Sequence, residues 1–171
     1  MAFTAATVSY MARTKAYYAA QGYPDAYQWA HNDEVPFSRP RRTLAESRIT
    51  LITTASPIAG RKAGDGVSPS GEALLLAKAL YQGSIEDPPE ALFTGDLSWD
   101  KETTHTEDLQ SYFPLTLLKS LVAEGIIGSL TPSYYCVPTE YSQRQTIAED
   151  APAIRENALA EGADVALLVP L

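Results

Sequence analysis

The sequence is poor in the residues from which covalent and metal centres are built. It contains a single cysteine, Cys136, and only two histidines, His31 and His105, among 171 residues. One cysteine excludes an internal disulfide and any site made of several thiolates. Two histidines provide little material for a zinc site of the usual composition. We therefore expect neither a metal nor another cofactor.

Positive charge and long apolar runs are also scarce. The chain has 13 Lys and Arg against 21 Asp and Glu, a net charge of −8. A nucleic-acid-binding surface is therefore not expected. No apolar run approaches about 18 residues, and the first ten residues lack the basic start and apolar core of a signal peptide. These absences predict a cytoplasmic protein without a membrane partner.

Common enzyme motifs are missing as well. We find no glycine-rich phosphate loop, no Walker pattern and no G-x-S-x-G elbow. Nucleotide binding and serine-hydrolase chemistry therefore have no support from a motif.

The chain does contain an alternation of helical and strand-like segments. Helical spacing and capping residues predict helices over residues 4–21, 72–82, 114–124 and 150–161. Strands are predicted over residues 48–54, 90–94, 126–130, 133–137 and 165–169. Because the first and last strands are almost entirely apolar, we expect an α/β fold with a single open, mainly parallel Rossmann-like sheet and helices on both faces. We assign residues 33–171 to this domain and residues 1–32 to an N-terminal helical segment.

Aromatic side chains crowd into this N-terminal segment. They are Tyr10, Tyr17, Tyr18, Tyr23, Tyr27 and Trp29. Such rings could form a ligand wall, but they are also enriched at subunit interfaces. We favour packing or an interface, and hence a homo-oligomer.

Ligands of open α/β sheets bind beyond the carboxyl ends of the strands, and this rule selects three segments. The first contains Thr53, Thr54 and Ser56, which follow the first predicted strand. Their hydroxyls and backbone N–H groups could bind a carboxylate or phosphate of a substrate. Strand threonines followed by a turn explain the same residues equally well.

The second segment begins with Gly95, Asp96 and Ser98 and leads to His105 and Asp108. A histidine with a carboxylate three residues further on could be an oriented acid–base pair. A histidine in a charged loop is more often only solvated, and we favour that alternative.

The third segment contains Tyr135 and Cys136, the tyrosine being a candidate substrate contact. A reactive cysteine needs a lowered pKa from a nearby cation or helix N-terminus, and the sequence shows neither. Lone cysteines are most often inert packing residues. Cys136 nevertheless stays a candidate nucleophile or proton-transfer residue.

A series of short segments runs in order along residues 33–171. The segments are DEVPF at 33–37, LITTA at 51–55, GDLS at 95–98, Asp108, PL at 114–115, LKSL at 118–121, EGIIGSL at 124–130, YY at 134–135 and GADVALLVP at 162–170. Their order resembles the selenoprotein B component of glycine, sarcosine and betaine reductases and the related proline reductase subunit. The N-terminal helix lies outside the resemblance.

Members of that family use a selenocysteine or cysteine to cleave a C–N bond of small amino-acid-derived substrates, within a complex that includes a thiol-reducing system. The resemblance implies a reductase-type subunit with a small carboxylate-containing ligand and a thiol-reducing protein partner. The alternative is a non-catalytic small-ligand-binding or assembly protein that dimerises through the aromatic N-terminal helix.

The resemblance also implies that the redox residue follows the strand at residues 165–169, and it has no counterpart up to Leu171. One hypothesis is that a UGA selenocysteine codon, or the boundary of the cloned segment, ends the chain there. The coding DNA beyond Leu171 would decide this. The sequence departs from the family at two places: Ser56 replaces the family's glycine, and the segment around His105 is altered. The resemblance therefore does not imply the substrate specificity of the family for this chain.

Overall fold

The computed structural model describes residues 9–25, 31, 33–35, 37–57, 80–92, 107–137 and 142–171. Two compact units make up the chain, Met1–Phe37 and Ser38–Leu171. In the first unit, helix α1 (Tyr10–Ala20) is followed by Gln21 and Gly22, whose positive φ of 89° favours glycine. The prediction of an N-terminal helix is confirmed over these residues, and residues 4–8 lie outside the described part.

The described residues of the second unit form one sheet of four strands. They are β1 (Arg48–Thr53), β2 (Tyr81–Ser84), β3 (Ser129–Cys136) and β4 (Val165–Val169). The strand order is β2-β3-β1-β4, with β1 parallel to both of its neighbours and β2 antiparallel to β3. The predicted single, mainly parallel sheet is therefore confirmed.

Helices cover both faces of this sheet, as predicted. Helix α2 (Leu115–Ala123) packs with Ile49 and Leu51 of β1, and helix α3 (Ala151–Ala160) packs with Ile52 and its neighbours. From β1 the chain continues through β2 to β3 on one side of β1, and from β3 it crosses β1 to β4 on the other side. Because connections between parallel strands are right-handed, connections that run in opposite directions place their helices on opposite faces.

The predicted helix at residues 72–82 does not extend to its expected end. Residues 72–79 lie outside the described part, but Tyr81 and Gln82 belong to strand β2. Gly83 does not stop a helix; it lies against the ring of Tyr134, where a Cβ atom would overlap the ring. Pairing with β3 along four residues overrides the helical spacing that ends at Leu80.

Two other segments differ from the predicted strands. Glu90, Ala91 and Leu92 have no strand conformation, although Leu92 is buried in the α2-side core. The strands predicted at 126–130 and 133–137 are one strand, β3, with an irregular register opposite residues 49–51. A β-bulge of this kind explains why the alternation breaks in the middle of the segment.

The last helix starts before the predicted cap. Asp150 has helical φ and ψ of −65° and −51°, and a π-helical turn (Thr146–Asp150) preceded by Gln143–Gln145 runs directly into α3. Because Pro152 cannot donate a backbone hydrogen bond, it interrupts the regular hydrogen bonding of the helix. The π-helical turn just before it accommodates this interruption. No helix within the described ranges is long and apolar enough to cross a membrane.

Candidate functional site

The three parallel strands end at the same edge of the sheet. Thr53, the last residue of β1, lies between Cys136 of β3 and Val169 of β4 in the strand register. The backbone N–H of Val137 donates a 2.8 Å hydrogen bond to the carbonyl of Thr53. This edge therefore places the first and third predicted site segments side by side.

The connections that follow β1 and β3 lie on opposite faces of the sheet. The connection between β1 and β3 includes α2, which packs on one face. The connection between β3 and β4 includes α3, which packs on the other. A crevice opens where neighbouring parallel strands diverge in this way, and ligands of open α/β sheets bind in such a crevice.

The hydroxyl groups at the end of β1 have different surroundings. The Oγ1 of Thr53 is buried and accepts a 3.2 Å hydrogen bond from the backbone N–H of Ala55. Thr54 is half-buried, and its Oγ1 bonds both backbone groups of Leu171. Ser56 is 6% exposed and forms a single β-bridge. The turn itself engages Thr53, whereas Thr54 faces the segment after β4.

Cys136 lies in the apolar core on the α2 side and is fully buried. Burial raises the pKa of its thiol to about 12, because apolar surroundings do not stabilise a charged thiolate. The thiolate is the nucleophilic form of cysteine, and this environment suppresses it at neutral pH. The surroundings of Cys136 therefore resemble those of a packing residue.

Tyr135 points to the opposite face and is also fully buried, within the cluster beneath α3. Its hydroxyl has no hydrogen-bond partner among the described residues. Desolvation raises the pKa of this phenol, and the negative charge of Glu161 raises it further. The hydroxyl is therefore a neutral, unpaired donor inside the protein.

Asp108 has a local structural role. Its carboxylate accepts a 3.0 Å hydrogen bond from the backbone N–H of Gln110 and caps the short helix Leu109–Ser111. The predicted site residues Gly95, Asp96, Ser98 and His105 lie outside the described residues. The acid–base pair of His105 and Asp108 stays a prediction.

A cavity of about 600 Å³ between α3 and the face of β1 and β4 was not foreseen from the sequence. Its lining includes Thr50, which is fully buried on β1 and has an unpaired hydroxyl in the described structure. The sequence signal for this cavity is a threonine within an apolar strand, because a buried hydroxyl group needs a hydrogen-bond partner.

Among the described residues, no group of three or more His, Cys, Asp and Glu side chains could hold a metal ion. Comparison with known proteins gives no relative: no family model, curated protein or solved structure matches this chain. The resemblance to the reductase components therefore depends on the ordered segments of the sequence alone.

Proposed function

We propose that this chain is a reductase-type subunit or paralogue related to selenoprotein B, which binds a small amino-acid-like carboxylate at the carboxyl edge of its sheet. The observation that carries the proposal is the divergence of the two connections that follow the neighbouring strands β1 and β3, since their helices cover opposite faces of the sheet. Such a divergence is the usual position of the ligand crevice in open α/β sheets.

The residues around this crevice suit a small anion. The hydroxyl group of Ser56 lies just after β1, together with backbone N–H groups of a turn, whereas the hydroxyl of Thr54 is bonded to Leu171. Successive N–H groups in a turn and nearby hydroxyls are the donors with which proteins bind carboxylates without a full positive charge. An amino acid or betaine presents such a carboxylate on a small body.

The redox group of the proposed reaction would come from outside residues 1–171 or from a partner protein. Cys136 is the only cysteine of the sequence, and burial raises the pKa of its thiol to about 12. The resemblance assigns the redox residue to the segment after β4. The hydrogen bonds between Thr54 and Leu171 hold the start of that segment at the end of β1, next to the crevice.

Thermal-shift measurements with glycine, sarcosine, glycine betaine and proline test the proposal. A ligand that binds only the native state stabilises it by about 2.7 kcal/mol at a concentration of 100 Kd. We expect at least one of these compounds to raise the melting temperature. The shift should shrink in Ser56→Ala and persist in Thr116→Val, a control on the exposed side of α2.

A Cys136→Ser variant separates binding from thiol chemistry. We expect this variant to retain the ligand-induced shift, because the thiol of Cys136 is fully buried in the apolar core. If none of the four compounds shifts the melting temperature of the unmodified protein, the proposed ligand class is wrong.

A second candidate function is assembly through the N-terminal helix. Met11, Tyr17 and Tyr18 of α1 are exposed, as is Tyr23 just after it. Aromatic and methionine side chains in the open are typical of subunit interfaces. Sedimentation of the whole chain should show an oligomer that a Tyr17→Ser/Tyr18→Ser variant dissociates, if this candidate is correct.

A further inference from the structure

The cavity beneath α3 has the size and the lining of a small-molecule site. Its volume is about 600 Å³, within the range of roughly 300–1,000 Å³ that is usual for ligand pockets. Apolar side chains dominate its wall, among them Ile52 of β1, Ile154 and Ala158 of α3, and Ala166 and Leu168 of β4. It extends along the face of the sheet, and Thr53 and Thr54 at one end of its lining adjoin the proposed carboxylate site.

The cavity exists because α3 covers only part of its face of the sheet. The helix packs on Tyr135 of β3 and Ile52 of β1. Beyond them, Leu168 of β4 is 68% exposed at the rim. Strands of a parallel sheet are normally covered on both faces, so the uncovered apolar surface favours an occupant.

Thr50 gives this apolar cavity a specific polar point. It alternates with Ile49 and Leu51, which face the α2 side, and so its side chain belongs to the α3 face. The residue is fully buried, and its Oγ1 has no hydrogen-bond partner in the described part of the chain. A buried hydroxyl without a partner is unfavourable and becomes satisfied when a ligand supplies one.

We propose that this cavity binds a largely apolar, uncharged small molecule whose oxygen accepts a hydrogen bond from the Thr50 hydroxyl. Few polar groups in an apolar wall are the common means of orienting a ligand. The charged residues of the lining, Asp150, Arg155 and Asp164, include both signs and are half-buried or exposed. None of these charged side chains is fully buried, so a ligand charge deep in the cavity, beside Thr50, would be costly.

A matched pair of probes tests the role of Thr50. Acetylnaphthalene carries a carbonyl oxygen, and isopropylnaphthalene has nearly the same shape without it. The affinities of both are measured by fluorescence titration of the unmodified protein, Thr50→Val and Thr131→Val. Thr131 is an equally buried strand threonine that does not line the cavity and whose hydroxyl is bonded to the Ser133 carbonyl.

We expect saturable binding of the ketone to the unmodified protein. The ratio of ketone to hydrocarbon affinity should fall roughly three- to tenfold in Thr50→Val, the effect of one hydrogen bond. The ratio should be unchanged in Thr131→Val. An Ala166→Phe variant, which places a ring in the cavity from β4, should lose both probes while it still unfolds cooperatively.

Three results would overturn the proposal. One is the absence of saturable binding of either probe, and another is an affinity ratio that Thr50→Val does not change. The third is a dimer that Leu168→Glu converts to a monomer while neither probe binds, since the occupant would then be a second copy of the chain.

Discussion

The hydroxyl of Thr54 bonds both backbone groups of Leu171. Its Oγ1 lies 2.8 Å from the nitrogen of Leu171, which donates to it, and 3.2 Å from the oxygen, to which it donates. One side chain after β1 therefore satisfies the backbone that follows β4, beyond the last pair of the strand register, Thr53 with Val169. The side chain of Thr54 thus links the segments that follow β1 and β4 at the carboxyl edge of the sheet.

Replacement of Thr54 by valine should weaken this link. Valine keeps the shape of threonine but removes the hydroxyl, so both hydrogen bonds to Leu171 are lost. We expect the free energy of unfolding to fall by about 0.5–1.5 kcal/mol and the Leu171 amide to exchange faster with solvent. Urea denaturation and hydrogen exchange measure the two effects. Thr54→Ser keeps the hydroxyl and should restore the protection of the Leu171 amide. Equal exchange in all three proteins would contradict the proposed role of the Thr54 hydroxyl.

Two buried threonines should respond oppositely to the same substitution. Thr50 has an unpaired hydroxyl, whereas the Oγ1 of Thr131 donates a 2.7 Å hydrogen bond to the carbonyl of Ser133. Thr50→Val removes an unsatisfied group and should raise the free energy of unfolding by about 1 kcal/mol, because isosteric loss of such a group is stabilising. Thr131→Val leaves a carbonyl short of a partner and should lower it by about 1–3 kcal/mol. Similar destabilisation of both variants would show that the Thr50 hydroxyl is bonded in solution.

Strands with a continuous apolar sequence could be predicted well from the sequence. β1 and β4 are confirmed within one residue, since the Ile, Leu and Val residues that they contain favour strands bounded by turn residues. β2 could not be predicted, because Tyr81 and Gln82 continue a helical spacing and only their pairing with β3 makes them a strand. Such long-range pairing leaves no periodicity in the local sequence.

The candidate site was predictable in position but not in detail. The rule that ligands bind beyond strand ends selected Thr53, Thr54, Tyr135 and Cys136, which the structure brings to neighbouring strand ends. Alternation along a strand places Tyr135 and Cys136 on opposite faces, but the sequence could not show which face each one occupies, because the register of β3 is irregular. It could not show the cavity either, since an uncovered face depends on where α3 crosses the sheet.

Gly83 should not tolerate a side chain. A Cβ atom at this position would overlap the ring of Tyr134, its partner in β3. That ring is held in place by Phe113, whose centroid is 4.7 Å away at an angle of 70°. Gly83→Ala should therefore lower the free energy of unfolding by about 1–3 kcal/mol through overpacking.

A double-mutant cycle checks this cause. In a Tyr134→Leu background the smaller side chain leaves space, and the additional effect of Gly83→Ala should become small. Full additivity of the two substitutions would place the cost in the backbone of β2 instead of in the contact with the ring.

The buried thiol of Cys136 should make stability fall at alkaline pH. Its pKa is raised to about 12 in the folded chain, whereas an unfolded cysteine ionises near pH 8.5. Between these values the unfolded state binds fewer protons than the native state, so the free energy of unfolding decreases as the pH rises. The slope approaches about 1.4 kcal/mol per pH unit above the unfolded pKa.

Comparison with Cys136→Ala isolates this effect below pH 10, because burial raises the pKa values of the buried tyrosines and keeps them neutral in both native proteins. From pH 7 to pH 10 the unmodified protein should lose up to about 2 kcal/mol more than the variant in urea denaturation. The thiol should also react slowly with a disulfide reagent at pH 8 until denaturant unfolds the chain. Equal pH dependence of the two proteins, together with fast labelling of the native state, would mean that Cys136 is accessible and ionised, and would revive it as a nucleophile.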